Sequence, residues 1–205
     1  MKTFPNKIPV FPLSGVIYFP QTNLPLNIFE QRYLDLVNDS IRKDKLMGMI
    51  QAKRKEDGLY KVGCLGKISD FQKSSDGRIL INLTGITRFQ VLEEVKNSKL
   101  YREFKVDYEK FSLDLKPKLE EINTDTLMKK AEIFFKKSGL LLNWKEFNKL
   151  NEIQKINTLA MIAPLTNEEK QSLLESVSLK EKAKTLSEII NFYLHEASSN
   201  NQTIQ

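Results

Sequence analysis

Nucleotide chemistry would need a glycine-rich loop ahead of a lysine, and the chain offers one Gly-Lys pair, Gly66-Lys67. A phosphate-cradling loop of the form GxxxxGK[ST] requires a glycine five residues before the second glycine and a hydroxyl after the lysine. Those places hold Lys61 and Ile68, inside a run that reads as a strand, so ATP hydrolysis is not expected. His195 is the one histidine, and a lone histidine cannot supply both a triad partner and a metal site. It reads as a surface residue near the end of the last helix, where the dipole favours a cation. Cys64 is the one cysteine, which excludes an internal disulfide and any cysteine-only metal site. It falls on the apolar phase of its strand, the setting of an inert buried thiol. Adjacent carboxylates at Glu56-Asp57, Glu93-Glu94, Glu120-Glu121 and Glu168-Glu169 fall at turns and on polar helix faces, as solvated charge and caps. No catalytic residue, metal or cofactor is therefore assigned.

The remaining chemistry is that of binding. The 205 residues carry a formal charge of +6, and it is unevenly placed. Residues 1–110 hold 19 Lys+Arg against 13 Asp+Glu, whereas residues 111–205 hold 13 of each. A basic half can attract acidic partners or nucleic acid, and Arg42-Lys43, Lys45 and Lys53-Arg54-Lys55 are its densest runs. Nucleic-acid surfaces interleave such runs with exposed aromatics. Here Phe11, Tyr18, Phe19, Phe29 and Phe89 fall at core phases, so a solvated lysine-rich surface is the simpler reading. No apolar run approaches the roughly 18 residues of a membrane helix, and the N-terminus lacks the apolar stretch of a signal peptide. With a single cysteine, these features lead to an expectation of a cytoplasmic protein with no membrane partner.

The elements around these residues follow from periodicity. Residues 8–33 carry Pro9, Pro12, Pro20 and Pro25 between short apolar runs, so this stretch must be extended, with prolines at edges and turns. Ser14-Gly15 and Gln21-Thr22-Asn23 are its turns. Phe29, Tyr33, Leu36, Val37 and Ile41 then fall at helical spacing, predicting a helix over 30–42. Strands are predicted over 46–55, 59–71, 78–92 and 100–108, separated by Asp57-Gly58, Asp76-Gly77 and Lys96-Asn97-Ser98, as an antiparallel meander. Gly85 marks a bend in the longest of them. From Pro117 the period becomes 3.6. One helix carries Leu119 through Phe135 and ends at Ser138-Gly139; a second carries Ile153 through Ala163 and ends at Pro164. Thr166…Glu169 and Ser178…Glu181 are capping boxes opening a short helix, with Leu173, Leu174 and Val177 as its face, and a last helix. The fold class is α+β: proline-rich strands and a meander with one helix, then a helical bundle. The expected organisation is residues 1–112, 113–197 and a frayed tail 198–205.

Three separated blocks give this order a family resemblance. FPLSGVIYFP with LPLNIFEQRYLDLV, then YKVGCLGKISDF with ILINLTGITRFQVLEE, then INTLAMIAPLTNEEKQSLLESVSLKEKAKTLSEII resemble the N-terminal substrate-binding domain of Lon proteases. The match is closest to small bacterial proteins that consist of that domain alone. Lys182 departs from it, since the last helix of the family more often has arginine there. The resemblance implies a pseudo-barrel followed by a helical bundle, and a non-enzymatic module that binds unfolded or exposed apolar polypeptide segments, with a protease in trans as a further partner. Nothing matches the family's Ser–Lys peptidase segment. An RNA- or DNA-binding protein using the basic half is the alternative.

On this reading a groove between the halves would be lined by Phe11, Tyr18, Phe19, Phe29, Tyr33, Arg88, Phe89 and Trp144. Peptide would bind by strand addition and side-chain pockets. Glu30 and Arg32, with Arg88, are expected to form a structural polar cluster tying the first helix to the long strand.

Overall fold

Residues 4–53, 58–116 and 124–200 are described by the computed structural model. The chain divides into two compact units, residues 1–117 and 118–205. Lys53-Arg54-Lys55 and Glu56-Asp57 lie partly or wholly outside the described residues, as do Leu119, Glu120-Glu121 and Ile122.

The prolines force the opening stretch into two strands, β1 (Lys7–Leu13) and β2 (Asn23–Ile28). Between them Gly15 has φ +84°, and the chain turns at Phe19–Thr22, where Thr22 Oγ1 donates to the Phe19 carbonyl at 2.7 Å. Helix α1 follows at Gln31–Arg42, burying Tyr33, Leu36 and Val37. Phe29 shares their helical spacing but precedes the N-cap residue Glu30, so the helical phase does not govern it; it is 66% exposed.

The meander is β3 (Leu46–Ala52), β4 (Leu59–Lys73), β5 (Ile79–Val95) and β6 (Arg102–Asp107), joined antiparallel in succession. β1 pairs in parallel with β3 and antiparallel with β6. Among the described residues the strand order is β2-β5-β4-β3-β1-β6, and β6 also pairs with β5. Five strands, β5-β4-β3-β1-β6, thus close into a ring, and β2 is attached outside it. β5 makes this possible by its length. One of its edges serves β4, while the other serves β2 at Ile79–Thr84 and β6 at Gln90–Val95.

Inside the ring Ile8, Val10, Ile50, Leu65, Phe89, Phe104 and Val106 are buried together. The period-two phase of β5 is kept, with Ile79, Ile81, Leu83, Phe89 and Val91 all buried. Gly85 sits where the β4–β5 register shifts by one residue. Its N–H donates to the Thr22 carbonyl and its carbonyl accepts from the Gln21 N–H, both at 2.9 Å. A Cβ at this position would collide with the Phe19 carbonyl oxygen, so the glycine is required by close approach of main chain.

The second unit holds α2 (Asp125–Lys137), α3 (Trp144–Phe147), α4 (Glu152–Ile162), α5 (Asn167–Glu175) and α6 (Leu179–Asn200). α2 ends with Gly139 at φ +69°, its N–H on the Lys136 carbonyl and the Leu140 N–H on the Phe135 carbonyl. That is the Schellman pattern, which favours glycine at the left-handed position. Both sides of the Thr166–Glu169 capping box are made. Asn151 and Gln154 form another, at the start of α4. Glu181 instead reaches the Val177 N–H at 2.7 Å, while its own N–H finds Ser178 Oγ at 3.1 Å. Val177 lies past the end of α5 and is 42% exposed, so it is not part of that helix's apolar face. α6 runs on through Asn200, further than the expected tail boundary at 198.

Lys182 is buried in this unit and donates to Asn157 Oδ1 at 2.7 Å. Trp144 is half-buried, edge-on to Phe135 and Phe147 at 5.7 and 5.3 Å.

Candidate functional site

Most of the residues expected to line a groove are interior. Phe11, Tyr18, Phe19, Tyr33, Arg88 and Phe89 are all buried. The rings of Phe11 and Tyr33 meet at 4.0 Å between centroids, which packs α1 onto β1. Burial holds the Tyr18 phenol well above its ordinary pKa, and the neighbouring Cys64 thiol adds to this. Trp144 belongs to the helical unit, in the aromatic cluster just described. Phe29 alone of the eight is widely open to solvent.

The expected polar cluster is divided. Arg32 donates to Glu30 Oε2 through Nε at 3.0 Å and Nη2 at 2.8 Å, at the exposed entry to α1. Arg88 is engaged elsewhere. Its guanidinium grips Asp114, in the 3-10 turn Glu109–Asp114, through Nε at 2.9 Å and Nη2 at 2.8 Å. The two partners are 26 residues apart, beyond any local sequence pattern.

Several cations of the first unit are ion-paired. Arg78 meets Asp76, Arg102 meets Glu94, Lys105 meets Glu93, and Lys7 and Lys99 share Glu103. Exposed pairs of this kind add little stability, and pairing within the unit leaves its net charge unchanged. The Glu103 cluster adjoins a cavity of about 400 Å³ beneath the end of α1. There Lys99 Nζ also donates to Tyr101 Oη at 2.7 Å, and Tyr101 donates to Asp39 Oδ2 at 2.7 Å. Its polar groups thus bond mainly one another, as a brace between α1 and β6.

β2 presents the other kind of chemistry, that of main chain. Among the described residues it pairs with β5 alone, in the register Asn23↔Thr84 through Ile28↔Ile79. The hydrogen bond from Gly85 N–H to the Thr22 carbonyl fixes the phase of this ladder. In an antiparallel pair, hydrogen-bonded and non-hydrogen-bonded positions alternate. Thr22 is a bonded position, so Leu24, Leu26 and Ile28 also bond to β5, and the N–H and C=O groups of Asn23 and Asn27 and the C=O of Pro25 point to the open side. Pro25 fits there because it has no N–H to give to the ladder. The side chains divide in the same rhythm: Asn23, Pro25 and Asn27 are exposed, Leu24 and Leu26 half-buried and Ile28 buried. The strand carries no charge, although charged side chains are a common guard on sheet edges. Phe29 follows it directly. This edge combines unpaired backbone groups, two half-covered leucines and an open aromatic. The sequence signal for it was Pro25 within an apolar alternation; what could not be read was which neighbour the strand would have.

Known structures share the fold. A Lon N-terminal domain protein from Xanthomonas campestris superposes with a TM-score of 0.65 at 22% identity, covering 88% of this chain and 96% of that one. The N-terminal domain of a Mycobacterium avium complex Lon protease gives 0.67 at 18% identity, covering 90% and 98%. Among sequences, a Lon protease from Bacillus thuringiensis (strain Al Hakam) is 26% identical over 93% of this chain, and Lon protease 2 of Myxococcus xanthus 25% over 91%. The chain spans about a quarter of the length of those relatives, 25% and 24%. Residues 7–191 match the family model of the ATP-dependent protease La (LON) substrate-binding domain, and the chain belongs to that family.

Proposed function

We propose that the protein is a non-catalytic module that captures exposed, extended polypeptide segments, with β2 and Phe29 as the receiving surface. The observation that carries this reading is the uncharged open edge of β2 ending in Phe29, an aromatic 66% exposed. Strand addition supplies affinity through main-chain bonds that any sequence can make, while an open aromatic rewards apolar side chains. A protease acting in trans is the natural recipient of the captured segment, and the setting is the cytoplasm.

The test is titration calorimetry of the protein with a cysteine-blocked, chemically unfolded model protein, without nucleotide, beside the variant Phe29→Ser. Phe29 is exposed, so the variant keeps its fold, which circular dichroism checks. Binding by the parent and a several-fold loss in the variant are expected. Absence of heat and of amide shifts at high concentration of the unfolded protein would remove the reading.

A further inference from the structure

The ladder phase of β2 makes the proposed binding selective for a pattern. We infer that the edge selects segments with apolar residues at every second position, and that Pro25 sets the affinity by withholding one donor. This inference rests on the polypeptide-binding reading above and specifies the class of segment.

The open side offers the N–H and C=O of Asn23, the C=O of Pro25, and the N–H and C=O of Asn27. A strand laid along it bonds through alternate residues. The residues directly across from Leu24 and Leu26 turn their side chains to the same face as those leucines, because directly opposed residues share a face. Both leucines are only half-buried, so apolar side chains there cover surface that water now touches. The intervening residues fall beside Asn23, Pro25 and Asn27, all exposed, where polar side chains stay solvated. A helical segment places its apolar residues three and four apart and satisfies its own backbone, so it fits neither requirement.

Pro25 sits mid-edge. One carbonyl of an added strand meets the proline nitrogen and gains no hydrogen bond. The missing donor also acts against pairing of two copies through β2, since proline on an edge strand is a guard against such association. The edge is thereby tuned to hold a segment without holding it tightly.

The experiment uses the full chain and two eight-residue peptides of one composition. One alternates valine and threonine; the other has the valines at helical spacing. The alternating peptide is expected to bind better, and backbone N-methylation walked along it is expected to weaken binding at every second residue and be tolerated between. Pro25→Ala restores the absent N–H and is expected to tighten binding by about threefold to tenfold, the worth of one hydrogen bond. Asn27→Pro removes an outward N–H and is expected to weaken it by a similar factor, while leaving the ladder to β5 intact. Equal binding of both peptides, or N-methylation tolerated evenly, overturns the inference and leaves polypeptide capture standing. Tightening absent in Pro25→Ala with sedimentation showing dimers also overturns it, a second copy being then the occupant. Failure of both peptides while the unfolded protein still binds overturns the inference alone; failure of the unfolded protein as well overturns the function itself.

Discussion

Arg88 and Asp114 form a two-pronged ion pair with side chains only 3% and 10% exposed. The Arg88 main-chain N–H adds a third bond to Asp114 Oδ2 at 2.9 Å. The guanidinium also lies over the Phe111 ring, 4.4 Å from its centroid. β5 is thereby fastened to the 3-10 turn at the end of the first unit. Removing one charge of a buried pair strands the other, at about 3–5 kcal/mol. Asp114→Ala is expected to lose stability of that order in urea melts. The double variant Arg88→Met, Asp114→Leu should recover part of it, because no charge is left stranded, while the main-chain N–H at position 88 still lacks its acceptor.

Glu103 links stability to acid. Burial opposes its ionisation, yet the hydrogen bonds and positive charges of Lys99 and Lys7 together outweigh burial and hold its pKa below the ordinary glutamate range. A depressed pKa means that the folded state holds the proton less tightly than the unfolded chain. The stabilisation is therefore full above the unfolded value, about 4.3, and is lost as pH falls through the lower folded value. Glu103→Gln should show a shallower fall of stability with pH below about 4.3, followed by denaturant midpoints across pH 3–7. An unchanged slope in the variant would place the acid-sensitive group elsewhere.

Gly85→Ala tests the close approach of β5 to the Phe19–Thr22 turn. The added methyl must displace the Phe19 carbonyl, and main chain yields less readily than a side-chain tip. A loss of about 1–3 kcal/mol is expected, with the resonances of Gln21 and Thr22 shifting most in NMR spectra. Retention of both stability and shifts would mean that the turn can move aside without cost.

Much of this arrangement is legible before any coordinates. The alternation in Ile79–Val91 and the turn residues around it identify β5 and its buried face because those signals are local. Thr166–Glu169 is equally local, and so was Asn151–Gln154, whose residue types carry the same N-cap logic. What periodicity cannot carry is partner choice. That β1 lies parallel to β3, that β6 returns to β5, and that Arg88 reaches Asp114 all depend on closure of the ring. Phe29 shows a different limit. It keeps helical spacing with Tyr33, Leu36 and Val37, but the helix begins at Gln31, and spacing has meaning only within an element. The edge of β2 lay in between: Pro25 marked it as an edge, while the hydrogen bond from Gly85 was needed to tell which groups it leaves open.

The five-strand ring is complete without β2, because β6 closes it against the far half of β5. β2 is therefore an appendage in the thermodynamic sense. Its detachment frees the edge of β5 over Ile79–Thr84, uncovers Ile28, and leaves the circuit of ladder bonds unbroken. Amide exchange should accordingly sort into two classes, with Leu24, Leu26 and Ile28 opening through a local event and Phe89, Phe104 and Val106 only through global unfolding. The proposed capture surface, hung on such a strand, can be reshaped, loosened or lengthened while the barrel that carries it stays folded.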